Sequence, residues 1–350
     1  MEARAGGVTS ATASAGLAGF VDLQVNGALG VDFAAPDLTL DDARRAARHV
    51  LASGTAAFLP TLVSSPLANY RQNLPLLAAL AGEPEFVGRI AGIHLEGPFL
   101  SRDRRVLGVH QPQHVRDAEP RLMEEWQGLA RGQLRLITLA AEIDGAAELT
   151  RVANSLGIAV AVGHSWPDAA ALERVRAAGA AALTHFGNGV PLALPRHANP
   201  LVAGLLADGL AAMLITDGHH VTADFARLVR RVKGARGLLL TSDLSPAAGL
   251  MPGQHQVFGT HIEVCADGAI RDPAHGHLAG SSMSLLGCAN QALAWGLLTP
   301  EEVLVAARDA PAALIGLDVA GLRASDDGHA VCFLRSAAPN GAFVRTPVNA

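Results

Sequence analysis

Eight short apolar runs alternate with amphipathic stretches along this 350-residue chain, and this alternation limits its fold more than any other feature. Strands that are separated by helices build βαβ units with a parallel sheet, and eight such units close into a barrel. We therefore predict an α/β fold, a (β/α)8 TIM-type barrel. The predicted helices include residues 40–52, 144–155, 167–178 and 223–232. The predicted strands are residues 19–25, 56–61, 89–95, 134–139, 158–163, 180–184, 211–215 and 238–242.

The pattern changes after the eighth predicted strand. Residues 254–278 are rich in Gly and His and predict one or two inserted hairpins. Two helices are predicted next, over 283–296 and 300–315, and Thr299 is the expected N-cap of the second. We expect the barrel domain to span residues 17–320, with a β insertion at about 252–280. Residues 1–16 and 321–350 are expected to form a small, reduced β accessory domain.

Composition excludes several classes of function. The net charge of −5 leaves no broad basic surface, so we expect no nucleic-acid partner. No apolar stretch reaches the roughly 20 residues that span a bilayer, so no membrane association is expected. The scattered cysteines Cys265, Cys288 and Cys332 are typical of free thiols in a reducing compartment, which favours the cytoplasm. Lys233 is the single lysine, which argues against Schiff-base chemistry or a lysine-bridged metal pair.

Four residues that could bind a metal or transfer a proton follow apolar runs directly: Glu96, His164, His185 and Asp243. Because the carboxyl ends of barrel strands meet at one face, we expect these side chains to gather there. One histidine at a strand end is more often structural, but two histidines with a glutamate form a known catalytic zinc set. Asp243 is then placed to act as general base and acid, although an N-cap role in a turn also suits it.

Other candidates lie on the predicted loops around this face. His94 shares a strand face with Glu96, so both side chains can point into the barrel mouth. The backbone N–H groups of the Gly-Asn-Gly loop at 187–189 can cradle an anion, although this tripeptide alone favours an ordinary turn. His110 is placed to polarise a carbonyl group. Arg196 and His220 can contact an anion or a hydroxyl, and each also suits a solvated loop.

Several motifs together resemble the N-acetylglucosamine-6-phosphate deacetylases of the amidohydrolase superfamily, from about residue 19 to residue 317. Most members of that superfamily carry a His-x-His pair on the first strand, which holds a second metal. Gln24 and Asn26 stand at those places, and neutral amides are poor ligands for transition metals, so the resemblance implies the mononuclear Gln-x-Asn branch. The motifs are GFVDLQVNG at 19–27, HLEGPF at 94–99, GHS at 163–165, TH at 184–185, DGHHV at 217–221 and LAGS at 278–281.

The resemblance also implies a mechanism. Glu96, His164 and His185 would hold one divalent metal, with zinc expected and iron, manganese or cobalt also suitable. Asp243 would move a proton from the attacking water to the leaving amine, and His110 would polarise the acetamide carbonyl. The products would be acetate and glucosamine-6-phosphate, as in amino-sugar catabolism.

The remaining implied roles concern the sugar and its phosphate. In this resemblance they fall to Asn188, the Gly189 backbone, Arg196 and His220. Some phosphate contacts in related enzymes come from a neighbouring subunit, so a homodimer is implied.

Three alternatives stay open at this level. The loops at 186–190 and 194–197 depart from the usual family sequence, and Leu107 replaces a usual lysine. A deacetylase of a different or unphosphorylated N-acyl amino sugar therefore remains compatible. Hydrolysis of a cyclic amide is opposed by the missing His-x-His pair and bridging lysine. The presence of Glu96, His164, His185 and Asp243 together argues against a catalytically silent sugar-phosphate-binding barrel.

Overall fold

The computed structural model describes residues 19–322, 329–334 and 341–347 of the chain. Its centre is an eight-stranded parallel sheet whose strand order follows the chain, as predicted. The eight strands alternate with helices, which confirms the (β/α)8 prediction. The strands are β1 Phe20–Val25, β2 Thr55–Val63, β3 Ile93–Glu96, β4 Leu134–Leu139, β5 Ala159–Val162, β6 Ala182–Leu183, β7 Ala211–Leu214 and β8 Leu238–Leu240.

The seam between β1 and the segment after β8 closes the sheet. The Asn26 N–H donates to the Leu244 carbonyl over 2.8 Å. The buried Asp22 carboxylate accepts from the Thr241 hydroxyl over 2.9 Å and from the Ser242 N–H over 3.1 Å. The first and last strands are thus joined partly through a side chain, near the end of the barrel that carries the site.

The helices surround the sheet and begin at recognisable caps. Thr39, Asp168 and Thr222 each accept a backbone N–H in the first turn of the helix that follows. The helices between strands are α1 Leu40–Ala52, α2 Leu67–Ala81, α3 Pro120–Leu129, α4 Ala146–Ser155, α5 Ala169–Ala177, α6 Pro200–Leu206 and α7 Ala223–Lys233. Among the described residues, none of the helices combines the length and the apolar character that a membrane-spanning segment requires.

The predicted helix 300–315 is interrupted. It consists of α9 Pro300–Leu304, a π-helical turn Val305–Asp309 and α10 Ala310–Leu314. Pro311 lacks the N–H that a regular α-helix would donate to residue 307, which is consistent with the change of hydrogen-bond pattern. The preceding α8 spans Leu285–Ala294.

Two layers of apolar packing hold the barrel. Inside it, small and medium side chains such as Ala57, Ala161 and Met213 are fully buried, and Ala312 of α10 joins this cluster. Between sheet and helices, the ring of Trp126 stacks on that of Tyr70 with centroids 4.5 Å apart. This packing fixes the strand ends on which the site is built.

Three further sheets lie outside the barrel in the described residues, and the smallest is the short hairpin of Gly27–Ala28 and Val31–Asp32. An antiparallel sheet of β9 Gly253–Val257, β10 Thr260–Val264 and β11 Ile270–Arg271 falls within the predicted insertion. The hairpin of β12 His329–Leu334 and β13 Ala342–Pro347 packs against the barrel, since the Phe343 ring meets that of Phe20 edge-on at 5.3 Å. Of the expected accessory domain, residues 1–16 lie outside the described residues.

Candidate metal centre

The three candidate metal ligands and the candidate proton-transfer residue each lie at or just beyond the carboxyl end of a strand. Glu96 is the last residue of β3, and His164 and His185 follow β5 and β6 by two residues each. Asp243 follows β8 by three residues. All four side chains are at least nine-tenths buried, so the barrel mouth holds an enclosed group of ionisable residues.

Three of these side chains converge on one point. The Glu96 Oε1 atom lies 2.8 Å from His185 Nε2 and 3.2 Å from His164 Nε2, and the two Nε2 atoms are 3.1 Å apart. A tetrahedral ion with ligand distances of about 2.0–2.1 Å needs donor atoms about 3.3 Å from one another. The three donors therefore fit one divalent ion, and Glu96, His164 and His185 form a group able to hold a metal.

Hydrogen bonding and charge prepare these ligands. His164 Nδ1 lies 2.7 Å from the Val106 carbonyl and donates to it, which leaves Nε2 with its lone pair facing the centre. Burial tends to raise the pKa of Glu96, but the imidazoles of His110, His164 and His185 around its carboxylate bring that pKa well below its usual value. The glutamate is therefore ionised and available as a ligand.

His110 lies against the same group. Its ring is 4.3 Å from that of His164, and its Nε2 is 3.6 Å from Glu96 Oε2. The Ser64 N–H donates to Nδ1 over 3.2 Å, so the neutral ring carries its proton on Nε2. Burial lowers the pKa of His110 to about 4, which keeps the ring neutral at pH 7. His110 thus presents an N–H without a hydrogen-bond acceptor among the described residues to the barrel mouth.

Asp243 lies near the three candidate ligands and is hydrogen-bonded to Asn26. The Asn26 side-chain amide donates to Asp243 Oδ1 over 2.7 Å. Burial, with the nearby charge of Glu96, raises the pKa of the Asp243 carboxyl. A carboxyl that takes up a proton this readily is suited to transfer protons.

The residues predicted to bind the sugar lie at different depths. The Asn188 amide donates to the His185 carbonyl over 3.2 Å, and Gly189 lies against the His164 ring. His220 Nδ1 donates to the buried Asp217 carboxylate over 2.7 Å. The structure places Asn188 and Gly189 against the metal ligands, and His220 on the loop that follows β7. Arg196 instead lies in an exposed loop, without an ion-pair partner among the described residues.

Two contributions were not apparent from the sequence. The sequence indicates only that Asn26 does not bind metal, and its hydrogen bond to Asp243 becomes visible only where β1 meets the segment after β8. Asp217 orients His220, a role that their i, i+3 spacing could have suggested. His94 lies near Glu96 in the barrel interior but is not in the ligand group, since its Nε2 lies 2.9 Å from the Thr138 hydroxyl.

A parallel barrel that gathers two histidines, a glutamate and a separate aspartate at its carboxyl end defines a metal-dependent hydrolase of the amidohydrolase type. The sequence matches no model of a protein family. It is 36% identical over 312 residues to the N-acetylglucosamine-6-phosphate deacetylase of Bos taurus, covering 86% of this chain and 74% of that protein.

Two further comparisons agree with this relationship. The chain is 30% identical over 304 residues to the N-acetylgalactosamine-6-phosphate deacetylase of Escherichia coli O157:H7, covering 85% of this chain and 78% of that protein. It superposes with a TM-score of 0.82 on a Mycobacterium smegmatis N-acetyl-D-glucosamine-6-phosphate deacetylase variant, solved in complex with N-acetyl-D-glucosamine-6-phosphate. That match has 27% identity and covers 95% of this chain and 85% of the other. The chain belongs to the N-acetylglucosamine-6-phosphate deacetylase family, and the predicted enzyme class is confirmed.

Proposed function

We propose that this enzyme hydrolyses the N-acetyl group of N-acetylglucosamine-6-phosphate to give glucosamine-6-phosphate and acetate. The observation that supports this most directly is the convergence of Glu96, His164 and His185 beside His110 and Asp243. The family relationship supports the choice of substrate. N-acetylglucosamine-6-phosphate carries both an acetamide group to be hydrolysed and a phosphate that basic and amide groups can bind.

The roles divide between activation and proton transfer. Glu96, His164 and His185 would hold one divalent metal, for which zinc is our first choice. Such an ion supplies Lewis-acid polarisation of the amide carbonyl and eases ionisation of the attacking water. The Nε2–H of His110 donates to the same carbonyl oxygen and stabilises the charge that develops there.

Asp243 carries the proton in this scheme. Its carboxylate takes a proton from the attacking water and delivers it to the amide nitrogen, because an amine anion does not leave unaided at neutral pH. The Asn26 amide holds Oδ1, which leaves Oδ2 as the oxygen that exchanges protons. Because Oδ1 is bonded to Asn26, we expect Oδ2 alone to carry the proton from the water to the amide nitrogen.

The sugar phosphate would be bound by Asn188, the Gly189 N–H, His220 and Arg196. We assign Arg196 to the site of a neighbouring subunit, because its loop is exposed and Leu192 in the same loop is fully accessible to solvent. A homodimer is therefore part of the proposal. The cytoplasmic location expected from the sequence stays a prediction.

The first test measures acetate release from N-acetylglucosamine-6-phosphate and from N-acetylglucosamine, with metal content assayed on the same sample. We expect a preference of at least about 100-fold in kcat/KM for the phosphorylated sugar, since lost charge-assisted contacts cost several kcal/mol. Equal rates on the two sugars would contradict the phosphate assignments. Bound metal without acetate release from either sugar would contradict the proposed reaction.

A second candidate substrate is N-acetylgalactosamine-6-phosphate, which differs at one hydroxyl. It is favoured by the 30% identity to a deacetylase named for that sugar, over a similar share of this chain. The same acetate assay with both sugar phosphates separates the two candidates. A higher kcat/KM for the galactosamine derivative would reassign the substrate while leaving the catalytic roles in place.

A further inference from the structure

The tight turn after β11 holds a second cluster of metal-ligating side chains. Asp272, His275 and His277 lie within six residues, in the sequence DPAHGH. Any two of their ligand atoms are within 4.8 Å of each other. None of the three belongs to the Glu96 centre, and the proposed deacetylation uses none of them.

The backbone brings the three side chains together. The Asp272 N–H donates to the His277 carbonyl over 2.9 Å, and the Gly276 N–H donates to the Asp272 carbonyl over 2.8 Å. The turn is therefore closed at both ends. The His275 and His277 rings stand parallel, with an interplanar angle of 4° and centroids 5.6 Å apart. Both rings are consequently presented to the same carboxylate.

The two oxygens of Asp272 have separate partners. Oδ1 accepts the N–H groups of Ala274 and His275 over 2.7 and 3.2 Å, which stabilises the turn. Oδ2 instead faces the imidazoles, 2.9 Å from His275 Nδ1 and 3.6 Å from His277 Nε2. These separations bracket the edge of about 3.3 Å between neighbouring ligands of a tetrahedral ion.

The exposure of the side chains suits a site that exchanges metal with solvent. The Asp272 side chain is 4% exposed, whereas those of His277 and His275 are 30% and 66% exposed. A buried anion at the base and two accessible imidazoles above it leave the remaining coordination positions to water. His277 Nδ1 lies 3.4 Å from the Leu278 carbonyl, a contact that leaves Nε2 free to bind.

We propose that Asp272, His275 and His277 form a second site for a divalent transition metal of the zinc type. The ligands would be Asp272 Oδ2, His275 Nδ1 and His277 Nε2. One carboxylate and two imidazoles match the preferences of zinc and its neighbours, and three ligands with open positions place the affinity below that of a closed four-ligand site. Each chain would then bind two ions of unequal affinity.

The position of this site gives it a structural consequence. Leu278 pairs with Arg271 across the turn, and the chain then runs directly to Ser281. The Ser281 N–H donates to the Asp243 carbonyl over 2.9 Å. A metal bound at the turn would therefore stabilise the segment that leads to Ser281 and thus to Asp243, the residue assigned to proton transfer.

The test is equilibrium dialysis of the full-length enzyme against graded Zn²⁺, with zinc per chain measured by mass spectrometry. The wild type is expected to bind one equivalent tightly and one more weakly. The double variant His275→Ala/His277→Ala should lose the second equivalent and keep the first. The control is His261→Ala, because His261 is exposed on β10 of the same insertion and belongs to no metal-ligating group of described residues.

A second variant separates ligand loss from damage to the turn. Asp272→Asn keeps an oxygen for the Ala274 and His275 N–H groups but removes the anionic ligand. We expect it to weaken the second equivalent about tenfold or more, with an unchanged far-UV circular dichroism spectrum. Equal zinc stoichiometry in the wild type and the double variant, or unchanged affinity in Asp272→Asn, would show that the three residues form only a hydrogen-bonded turn.

Discussion

Three of the six non-glycine residues with positive φ in the described part of the chain lie at the candidate site. His164, His185 and Asp243 have φ angles of 48°, 29° and 48°, a region that non-glycine residues seldom adopt. Each such residue costs of order 1–3 kcal/mol and persists only where its surroundings impose it. The sharp turn that follows each strand directs the side chain into the barrel mouth. The sequence could place these residues at strand ends but could not show this conformation.

Replacing Asp243 with Asn tests its assigned role. Asn keeps the oxygen that accepts from Asn26 but cannot take up and deliver a proton. We expect kcat to fall about 10²–10⁴-fold, the usual contribution of general acid–base catalysis, while the bound metal per chain is unchanged. The checks are acetate release and metal content of the same preparation. Near-wild-type turnover in this variant would remove Asp243 from the mechanism.

Gly189 is tested by Gly189→Ala. Its φ is 63°, and an added Cβ would lie 3.1 Å from His164 Nδ1, the atom that donates to Val106. We expect weaker metal binding, because His164 must move to relieve the contact. The matched control is Gly157→Ala, where φ is 75° and a Cβ meets nothing within 4 Å. The Gly157→Ala control has the same backbone cost of a positive φ but no steric contact. Equal metal affinity in the two variants would therefore contradict the steric argument.

At the scale of elements, the sequence predicts regular segments well and irregular ones poorly. The residue 134–139 strand and the residue 40–52 helix coincide with β4 and α1, because apolar alternation and capping are local signals. The π-helical turn Val305–Asp309 was not predicted, since it depends on how α9 and α10 pack beneath the barrel. The short hairpin of Gly27–Ala28 and Val31–Asp32 was also not predicted from the sequence.

The capping box of α9 provides a prediction at this scale. Thr299 accepts the Glu302 N–H through its hydroxyl, and the Glu302 carboxylate accepts the Thr299 N–H. We expect Thr299→Ala to lower the free energy of unfolding by about 1 kcal/mol, measured by urea titration. Ser155→Ala at the exposed end of α4 is the control, with an expected change within about 0.5 kcal/mol. An equal effect of both substitutions would mean that the box adds nothing.

At the scale of the molecule, the site depends on closure of the barrel. Glu96, His164 and His185 come from β3, β5 and β6, which lie within four consecutive strands of the sheet, so the strand order alone brings them to one side of the barrel mouth. Asp243 reaches them only because the segment after β8 meets β1, where Asp22 binds Thr241 and Ser242 and Asn26 binds Asp243. Sequence patterns therefore predict which strands carry the candidate ligands. The side-chain contacts across the seam required the assembled barrel.

Assembly of two chains gives the last prediction. If Arg196 serves the neighbouring site, Arg196→Ala and Asp243→Asn enzymes are each nearly inactive but can complement each other. A mixed dimer has one site with intact Asp243 that receives Arg196 from its partner. Random exchange of subunits should therefore restore roughly a quarter of the wild-type acetate release, since half the dimers are mixed and each has one complete site. No recovery after confirmed exchange would place Arg196 in its own subunit's site or outside the reaction.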